Sequence, residues 1–560
     1  MTASMFRPRR LAAVRAVLAL LLVALSGIAG AFPSATPARA AETPIYGSGS
    51  TWSANAISQW IADVATNGLR VSFTANGSSA GRLDFHVKQS DFGVSEIPYQ
   101  GRDPVTGTID DTNRPYAYMP IVAGGTSFMY HLTVGGQLYR DLRLSGDTIT
   151  KIFTGRITNW SDPAITRDNN GKQLPNKRIV PVVRSDGSGT TAQFTTWMAK
   201  EHASLWCPFF AEKISRTNRC GLTSYYPQFN NSVAQSGSVQ MAGYISASYG
   251  EGTIGYVEYS YARNKNYPVA KVRNAAGYYV LPTQYNVAVA LTKARINTNR
   301  DPKVYLTQVL DDVYRYQDPR TYPLSSYSYM ILPTSLDGRL TEEKGRSLSL
   351  FGQYFLCQGQ QKAGPLGYSP LPLNLVKAGF EQLQRVPGAV RSSLRPEGCQ
   401  NPTFDAANPN SNRLARIAPQ PPGCDRDGQG PCSGGGAGNG GGGNGGGANG
   451  GGSGGRNGDL AAGQPGGTVS PGASVGPGPT TPGEDVRIDP ITGEVLGDAE
   501  GAGDGATGGG GGSGVVELAA SQGSIQALSV LVVVQLGLVL LLPVLVARAV
   551  RRRDPDPRDR

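Results

Sequence analysis

Three short stretches of this 560-residue chain are crowded with small residues that donate hydrogen bonds. They are GSGSTW at 47–52, NGSSAG at 76–81 and VVRSDGSGTT at 182–191. In each, a strand-like run ends, a glycine-rich turn follows and a helical pattern begins; the second helix is expected to pass through Leu83 and Val87. The first turn of a helix has N–H groups without partners and lies at the positive end of the helix dipole. Since glycine lets the backbone approach a ligand, these stretches predict an anion site at helix N-termini.

The third stretch also contains a charged pair that suits an oxyanion. The guanidinium of Arg184 can donate two parallel hydrogen bonds to a tetrahedral oxyanion, and Asp186 can hold that guanidinium in place. For each loop taken alone, N-capping by serine or threonine is the simpler explanation. Three such loops in one chain, one of them with an embedded arginine, favour the anion site.

Other chemistries find little support in the sequence. No G-K-[ST] follows the glycines, which argues against a nucleotide P-loop. The histidines, His86, His131 and His202, form no H-E-x-x-H motif and are interpreted as surface or packing residues. The net charge is +11, but 41–432 has no long lysine or arginine run, so a small anion is favoured over nucleic acid. We predict neither an enzyme nor a cofactor or metal site.

The elements that must position these loops alternate between strands and helices. Apolar, β-branched runs at 70–73 and 179–183 predict strands. Apolar residues recur at helical spacing in 53–65 and 190–200. This alternation indicates an α/β fold, and the folded region, 44–420, is long enough for two lobes.

The order of these motifs resembles the PstS-type phosphate-binding proteins, the extracytoplasmic receptors of phosphate ABC transporters. The resemblance covers about 46–380. Besides the three loops it rests on SDFGVSEIP at 90–98, IFTGRITNWSDPAI at 152–165, GTIGYVEYSYA at 252–262, YPLSSYSYMILP at 322–333 and LGYSPLP at 366–372. No single segment is specific, but their number and order are.

The resemblance implies a two-lobed periplasmic-binding-protein fold with the ligand in the cleft between the lobes. Two crossovers would join the lobes, near 121–125 and near 285–293. Lobe one would comprise 44–122 with about 290–400, and lobe two would comprise 123–289.

The resemblance also implies the residues that contact phosphate. They are Thr51, the backbone of Trp52, Ser78, Glu96, Arg184, Ser188, Gly189 and Thr190, with Asp186 orienting Arg184. Among these groups only the ionised carboxylate of Glu96 is limited to accepting hydrogen bonds. It would select phosphate, which keeps a proton to donate, over sulfate, which has none. The family's usual residues are aspartate at position 96 and phenylalanine at position 52, so the longer Glu96 is expected to change the fit of the cleft.

Both ends of the chain indicate an exported protein held at a membrane. Early arginines, an apolar run and the A-x-A motif at its end predict a signal peptide over 1–40. Residues 525–547 are apolar and, at about 34 Å as a helix, long enough to cross a bilayer. The basic tail at 548–560 would then be cytoplasmic. The glycine-rich composition of 433–524 predicts a disordered tether, and the folded region is expected outside the membrane.

The cysteines favour disulfide bonds. There are six, Cys207, Cys220, Cys357, Cys399, Cys424 and Cys432, and an even number in an exported chain is typical of a disulfide framework. Pairing neighbours is one of 15 possible connectivities. It would join 207 to 220, 357 to 399, and 424 to 432, the last within an extension at 401–432.

The sequence therefore predicts a protein that binds inorganic phosphate outside the membrane and delivers it to an ABC permease. Three alternatives stay open. The chain could be a surface or sensory protein that retains the anion-binding fold without transport, or its ligand could be a different oxyanion. It could also be a phosphatase with Ser188 as nucleophile, although no general base stands near Ser188 in the sequence.

Overall fold

The computed structural model describes residues 42–432, except 103–106, 108, 216–219, 406, 409, 410 and 431. In these residues the strands are β1 (Ile45–Gly49), β2 (Val71–Thr74), β3 (Phe92–Ser95), β4 (Gly101–Arg102), β5 (Ile109–Asp110), β6 (Tyr116–Tyr130), β7 (Thr133–Val134), β8 (Gln137–Leu138), β9 (Arg143–Leu144), β10 (Val180–Arg184), β11 (Val233–Gln235), β12 (Thr253–Glu258), β13 (Lys271–Arg273), β14 (Tyr279–Val280), β15 (Arg295–Ile296), β16 (Gln308–Val309) and β17 (Ser325–Pro333). The helices are α1 (Ala54–Ala65), α2 (Ser78–His86), α3 (Gly146–Phe153), α4 (Pro163–Asp168), α5 (Gly189–Glu201), α6 (Ala203–Lys213), α7 (Gly237–Ser246), α8 (Tyr259–Asn264), α9 (Gln284–Leu291), α10 (Asp311–Tyr314), α11 (Glu342–Leu356), α12 (Ala363–Leu366), α13 (Leu373–Leu383), α14 (Pro396–Cys399) and α15 (Arg413–Ile417).

An eight-stranded mixed sheet runs through both lobes in the order β11-β10-β12-β6-β17-β3-β1-β2. Its long strand β6 pairs antiparallel with β17 from Tyr116 to Gly125, and antiparallel with β12 from Thr126 to Tyr130. On one side of β6, strands β1, β2 and β3 are parallel to one another and belong to lobe one. On the other side, β10, β11 and β12 are parallel and belong to lobe two. The two-lobed α/β fold predicted from the sequence is confirmed.

The segments predicted as crossovers fall at two different elements. The first, 121–125, lies in β6 and ends where that strand changes partner. The second, 285–293, overlaps α9. The carbonyl of Gln284, which begins α9, accepts a hydrogen bond from Ser369 Oγ at 2.9 Å, so this end of α9 is attached to the segment that follows α12.

Helix α1 illustrates how apolar spacing positions a glycine-rich loop. Of its predicted apolar face, Ile57, Trp60 and Val64 are buried and Ile61 is half-buried. The Trp60 ring stacks on Phe355 with 4.9 Å between ring centroids, and its indole N–H donates to the carbonyl of Gly359 at 2.9 Å. Each such buried side chain contributes about 1.5–3 kcal/mol, which holds the helix and the GSGSTW loop before it in place.

Helix α2 differs from the prediction in its end and in its exposed face. It ends at His86, and Leu83 and Val87 are 56% and 48% exposed. Its inner face carries Gly81 instead, where an added Cβ would overlap the Cα of Gly49 in β1. The helix thus packs backbone to backbone against the strand, and this close approach turns Leu83 outward.

The cysteines are paired as the neighbour pairing predicts. Disulfides join Cys207 to Cys220, Cys357 to Cys399 and Cys424 to Cys432. The second ties the end of α11 to the end of α14, and the third closes a loop near the end of the described chain.

Four predicted segments fall outside the described residues: the signal peptide at 1–40, the tether at 433–524, the span at 525–547 and the basic tail at 548–560. Among the helices that are described, none combines the length and the apolar character that a bilayer crossing needs. The four segments therefore stay predictions.

Candidate anion-binding site

Four helix N-termini meet between the two lobes. Helices α1 and α2 belong to lobe one, and α5 and α7 belong to lobe two. Three of them begin within or just after the glycine-rich stretches found in the sequence, and the fourth, α7, begins within QSGS at 235–238. Because each N-terminus presents N–H groups and the positive end of a helix dipole, their convergence creates a positive potential suited to an anion.

The lobes touch across this cleft. Ser79 N, in lobe one, donates to the carbonyl of Gly187, in lobe two, at 3.0 Å. Gly77 has a φ of +99°, and a Cβ added there would lie 2.6 Å from Asp186 Oδ2. The glycine therefore permits both the left-handed turn and the close approach, and the cleft is closed.

Arg184 lies in this cleft with only 1% of its surface exposed. Its Nε donates to Asp186 Oδ1 at 2.7 Å, and its Nη2 donates to Asp186 Oδ2. Asp186 Oδ1 also accepts from Gly237 N at 2.9 Å. Burial acts to raise the pKa of Asp186, but the hydrogen bonds and charge of Arg184 hold that pKa below its ordinary value. The carboxylate is thus ionised at neutral pH and holds the guanidinium by one edge.

Glu96 points into the cleft and is 1% exposed. Its Oε1 accepts from Ser50 Oγ, and its Oε2 accepts from Ser78 Oγ at 2.9 Å. Burial raises the pKa of Glu96 above its ordinary value, although the two serine hydrogen bonds and the charge of Arg184 offset part of the rise. A Cβ added at Gly189 would overlap Glu96 Oε2, so glycine at that position makes room for the longer acidic side chain.

The other residues implied by the resemblance are also buried here. Trp52 N donates to Ser50 Oγ at 3.0 Å. Ser188 Oγ caps α5 by accepting from Thr191 N at 3.1 Å, which leaves its hydroxyl hydrogen free to donate. Thr190 Oγ1 is buried and has no hydrogen-bond partner among the residues that the structure describes, so its hydroxyl is available to a ligand.

Two groups of this cleft were not predicted from the sequence. The first is Ser50, which donates to the carboxylate of Glu96 as described above. The second is the turn at Gly237 and Ser238, which lines the fourth side of the cleft. Ser238 N donates to Thr51 Oγ1 at 3.2 Å, and the two hydroxyl oxygens are 3.0 Å apart. The available signal was the S-G-S turn before an apolar helix. It was overlooked because the strand before it, at 233–235, is only three residues long.

Known proteins resemble a large part of this chain. Residues 33–358 match a PBP superfamily domain. The phosphate-binding protein PstS of Xylella fastidiosa is 29% identical over 360 residues, which cover 63% of this chain and 89% of that protein. The phosphate-binding protein PstS3 of Mycobacterium bovis is 30% identical over 328 residues, covering 58% of this chain and 82% of that protein. A crystal structure of a putative phosphate ABC transporter substrate-binding protein from Clostridium perfringens, with bound phosphate, has 19% identity and a TM-score of 0.38, and the match covers 59% of this chain and 100% of that one.

Proposed function

Since this chain belongs to the PstS family of phosphate-binding proteins, we propose that it binds inorganic phosphate outside the membrane and delivers it to an ABC permease. The lobes that close on the ligand are 44–122 with about 290–400, and 123–289. The ligand contacts are Thr51, the backbone of Trp52, Ser78, Glu96, Arg184, Ser188, Gly189 and Thr190, with Asp186 orienting Arg184. Closure of the lobes completes the site and excludes water.

One observation carries this proposal: a fixed cation and a fixed acceptor share one closed cleft. Arg184 is held by Asp186 and offers its remaining N–H groups to the unprotonated oxygens of phosphate. Glu96 is held by Ser50 and Ser78 and accepts a hydrogen bond from the protonated oxygen of phosphate. Sulfate has no such proton, so its oxygen would meet a carboxylate lone pair. An unmet hydrogen bond to a charged group costs about 1.5–3 kcal/mol, which disfavours sulfate.

The site is proposed to bind and release its ligand without chemistry. A phosphatase would need Ser188 Oγ next to a general base. Ser188 Oγ instead accepts a hydrogen bond from Thr191 N as the cap of α5. This supports a structural and ligand-contacting role.

The proposed location is extracytoplasmic, with a membrane anchor at the C-terminal end. The support is the sequence pattern: a signal peptide at 1–40, an apolar span at 525–547, and a basic tail at 548–560 that keeps the C-terminus in the cytoplasm. The tether at 433–524 would hold the folded region at an r.m.s. distance of about 50 Å from the span.

Cells that lack this chain are expected to take up radiolabelled phosphate more slowly from micromolar phosphate, and the full chain should restore the rate. Sulfate uptake serves as the control and should not change. An unchanged rate of phosphate uptake, with phosphate binding intact in the purified chain, would contradict delivery to a permease and favour the sensory alternative.

A further inference from the structure

Ser238 lies in the cleft but is not among the ligand contacts that the resemblance implies. It lies in the first turn of α7 and is fully buried. The residue before it, Gly237, has a φ of +69°, which directs the turn into the cleft. Because Gly237 N is bonded to Asp186, the turn is fixed to the carboxylate that holds Arg184.

From this position Ser238 contacts one ligand group of each lobe. In lobe one, its N–H and hydroxyl both lie within hydrogen-bond distance of Thr51 Oγ1. In lobe two, Arg184 Nη1 approaches its Oγ to 3.5 Å. When Thr51 Oγ1 accepts the N–H of Ser238, the hydrogen of Thr51 is left to donate elsewhere.

We propose that Ser238 is a positioning residue that turns the Thr51 hydroxyl toward bound phosphate when the lobes close. This inference rests on the proposed function. Ser238 fixes the oxygen of Thr51 by donating both its N–H and its hydroxyl hydrogen to it. Both donors come from the opposite lobe, so the Thr51 hydroxyl is aimed only in the closed cleft, and Ser238→Ala removes the hydroxyl donor. Because Ser238 Oγ can accept from Arg184 Nη1, its hydroxyl hydrogen is left to point at Thr51 Oγ1.

The test is a double-mutant cycle with Ser238→Ala and Thr51→Ala, read by calorimetric titration of the full chain with inorganic phosphate. Each single change should weaken phosphate binding about tenfold, the loss expected for one good hydrogen bond. Because Ser238 acts through Thr51, the two losses should not multiply. The double variant should bind phosphate with about the same affinity as the single variant that binds more weakly. The control is Ser246→Ala at the other end of α7, whose hydroxyl donates to Gly243 O and whose loss should leave binding unchanged.

Two outcomes would overturn this role. Binding by Ser238→Ala as tight as in the unmodified chain would exclude it, and so would losses that multiply in the double variant, since they would mean that the two residues act independently. If the unmodified chain itself fails to bind phosphate, the proposed function fails instead.

A second, independent inference concerns the C-terminal extension, which starts on lobe one. We call residues 399–430 the strap. Its first anchor is the disulfide between Cys399 and Cys357. Close behind it, Asn401 Nδ2 and Thr403 Oγ1 donate to the carbonyl of Leu371 at 3.0 and 2.8 Å.

The other end of the strap is anchored on lobe two by a buried ionic contact. Asp425 Oδ1 lies 2.9 Å from Arg143 Nη2 and 3.0 Å from Lys271 Nζ, in strands β9 and β13. The side chains of Arg143 and Asp425 are 0% and 4% exposed. Two residues later, Asp427 N donates to Gly277 O at 2.8 Å. Removing one partner of such a buried pair is strongly destabilising, so this anchor is firm.

Between its two anchors the strap packs on α9. Leu414, Ala415 and Ala418 form a small apolar cluster with Ala288 and Val289. The superfamily match ends at 358, so the strap lies beyond the matched domain.

We infer that the strap is a further link between the lobes that restrains opening of the cleft. Rotating lobe two away from lobe one moves the Asp425 anchor relative to the Cys399 anchor. The rotation must therefore either peel the strap from α9 or break the contacts of Asp425, and both oppose opening.

The test severs the strap without altering either anchor. A specific protease site is inserted between Ala407 and Asn408, which are both exposed, and the folded full chain is compared before and after cleavage. The probe is amide hydrogen exchange in phosphate-free buffer over 77–81, because Ser79 N bonds across the cleft to Gly187. Cleavage should speed exchange there about tenfold, the change expected when one good interaction no longer opposes opening.

The control segment is α11, away from the cleft, where exchange should not change. Equal exchange at 77–81 before and after cleavage would overturn the restraint. Faster exchange in both segments would also overturn it, because the strap would then be a general stabiliser of the fold. Neither result depends on phosphate binding.

Discussion

Replacing Arg184 with alanine is expected to weaken phosphate binding by about a hundredfold or more. The guanidinium is buried and held at one edge by Asp186, so its remaining N–H groups are held in the cleft where phosphate is proposed to bind. Each charge-assisted hydrogen bond contributes about 1.5–3 kcal/mol, and each 1.4 kcal/mol is a factor of about ten in affinity. Removing Arg184 also leaves the ionised Asp186 close to the anion, which adds repulsion. Calorimetric titration with phosphate measures the change.

A second variant separates this loss from misfolding. Arg184→Gln combined with Asp186→Asn removes both charges and leaves no unpaired ion in the cleft, so it should fold with a normal thermal midpoint and still bind phosphate weakly. Arg295→Ala is the matched control, because this exposed arginine pairs with Asp312 on the surface. If this double variant binds phosphate as tightly as the unmodified chain, Arg184 is not the principal cation of the site.

Replacing Glu96 with glutamine is expected to lower the preference for phosphate over sulfate by at least about tenfold. The carboxylate can only accept, whereas the amide of glutamine can also donate. The variant should therefore accommodate a sulfate oxygen and gain sulfate affinity while losing phosphate affinity. An unmet charged hydrogen bond of about 1.5–3 kcal/mol sets the size of the change. The measurement is the ratio of dissociation constants for the two anions.

The same residue predicts how selectivity depends on pH. The acceptor exists above the pKa of Glu96 and is lost as pH falls through it. Since burial raises this pKa, selectivity should decline at a higher pH than an exposed glutamate would give, and Glu96→Gln should abolish that dependence. Glu96→Asp keeps the acceptor and should keep the preference, as should Glu343→Gln at an exposed position. Unchanged selectivity in Glu96→Gln would exclude the carboxylate as the selecting group.

Much of the fold was predictable because it follows from local patterns. The strand expected at 70–73 is β2, Val71–Thr74, and the helix expected at 53–65 is α1, Ala54–Ala65. The spacing of apolar residues did not predict the buried face of α2, because the contact of its Gly81 with β1 decides which face is buried. That contact joins two elements and leaves no trace in the spacing of apolar residues.

The candidate site was predictable to the extent that its chemistry lies within single loops. Helix N-termini with glycine and hydroxyl residues can be recognised from a few consecutive letters. The contact between Thr51 and Ser238 joins residues 187 positions apart, and the strap contact between Arg143 and Asp425 joins residues 282 apart. Such pairs depend on how distant parts of the chain come together, which local patterns do not encode.

The most direct test of the account is calorimetric titration of the purified full chain, first with inorganic phosphate and then with sulfate. The closed cleft with Arg184 and Glu96 predicts saturable binding of phosphate at micromolar concentrations, one per chain, and far weaker binding of sulfate. The absence of phosphate binding at those concentrations, or equal affinity for the two anions, would contradict it.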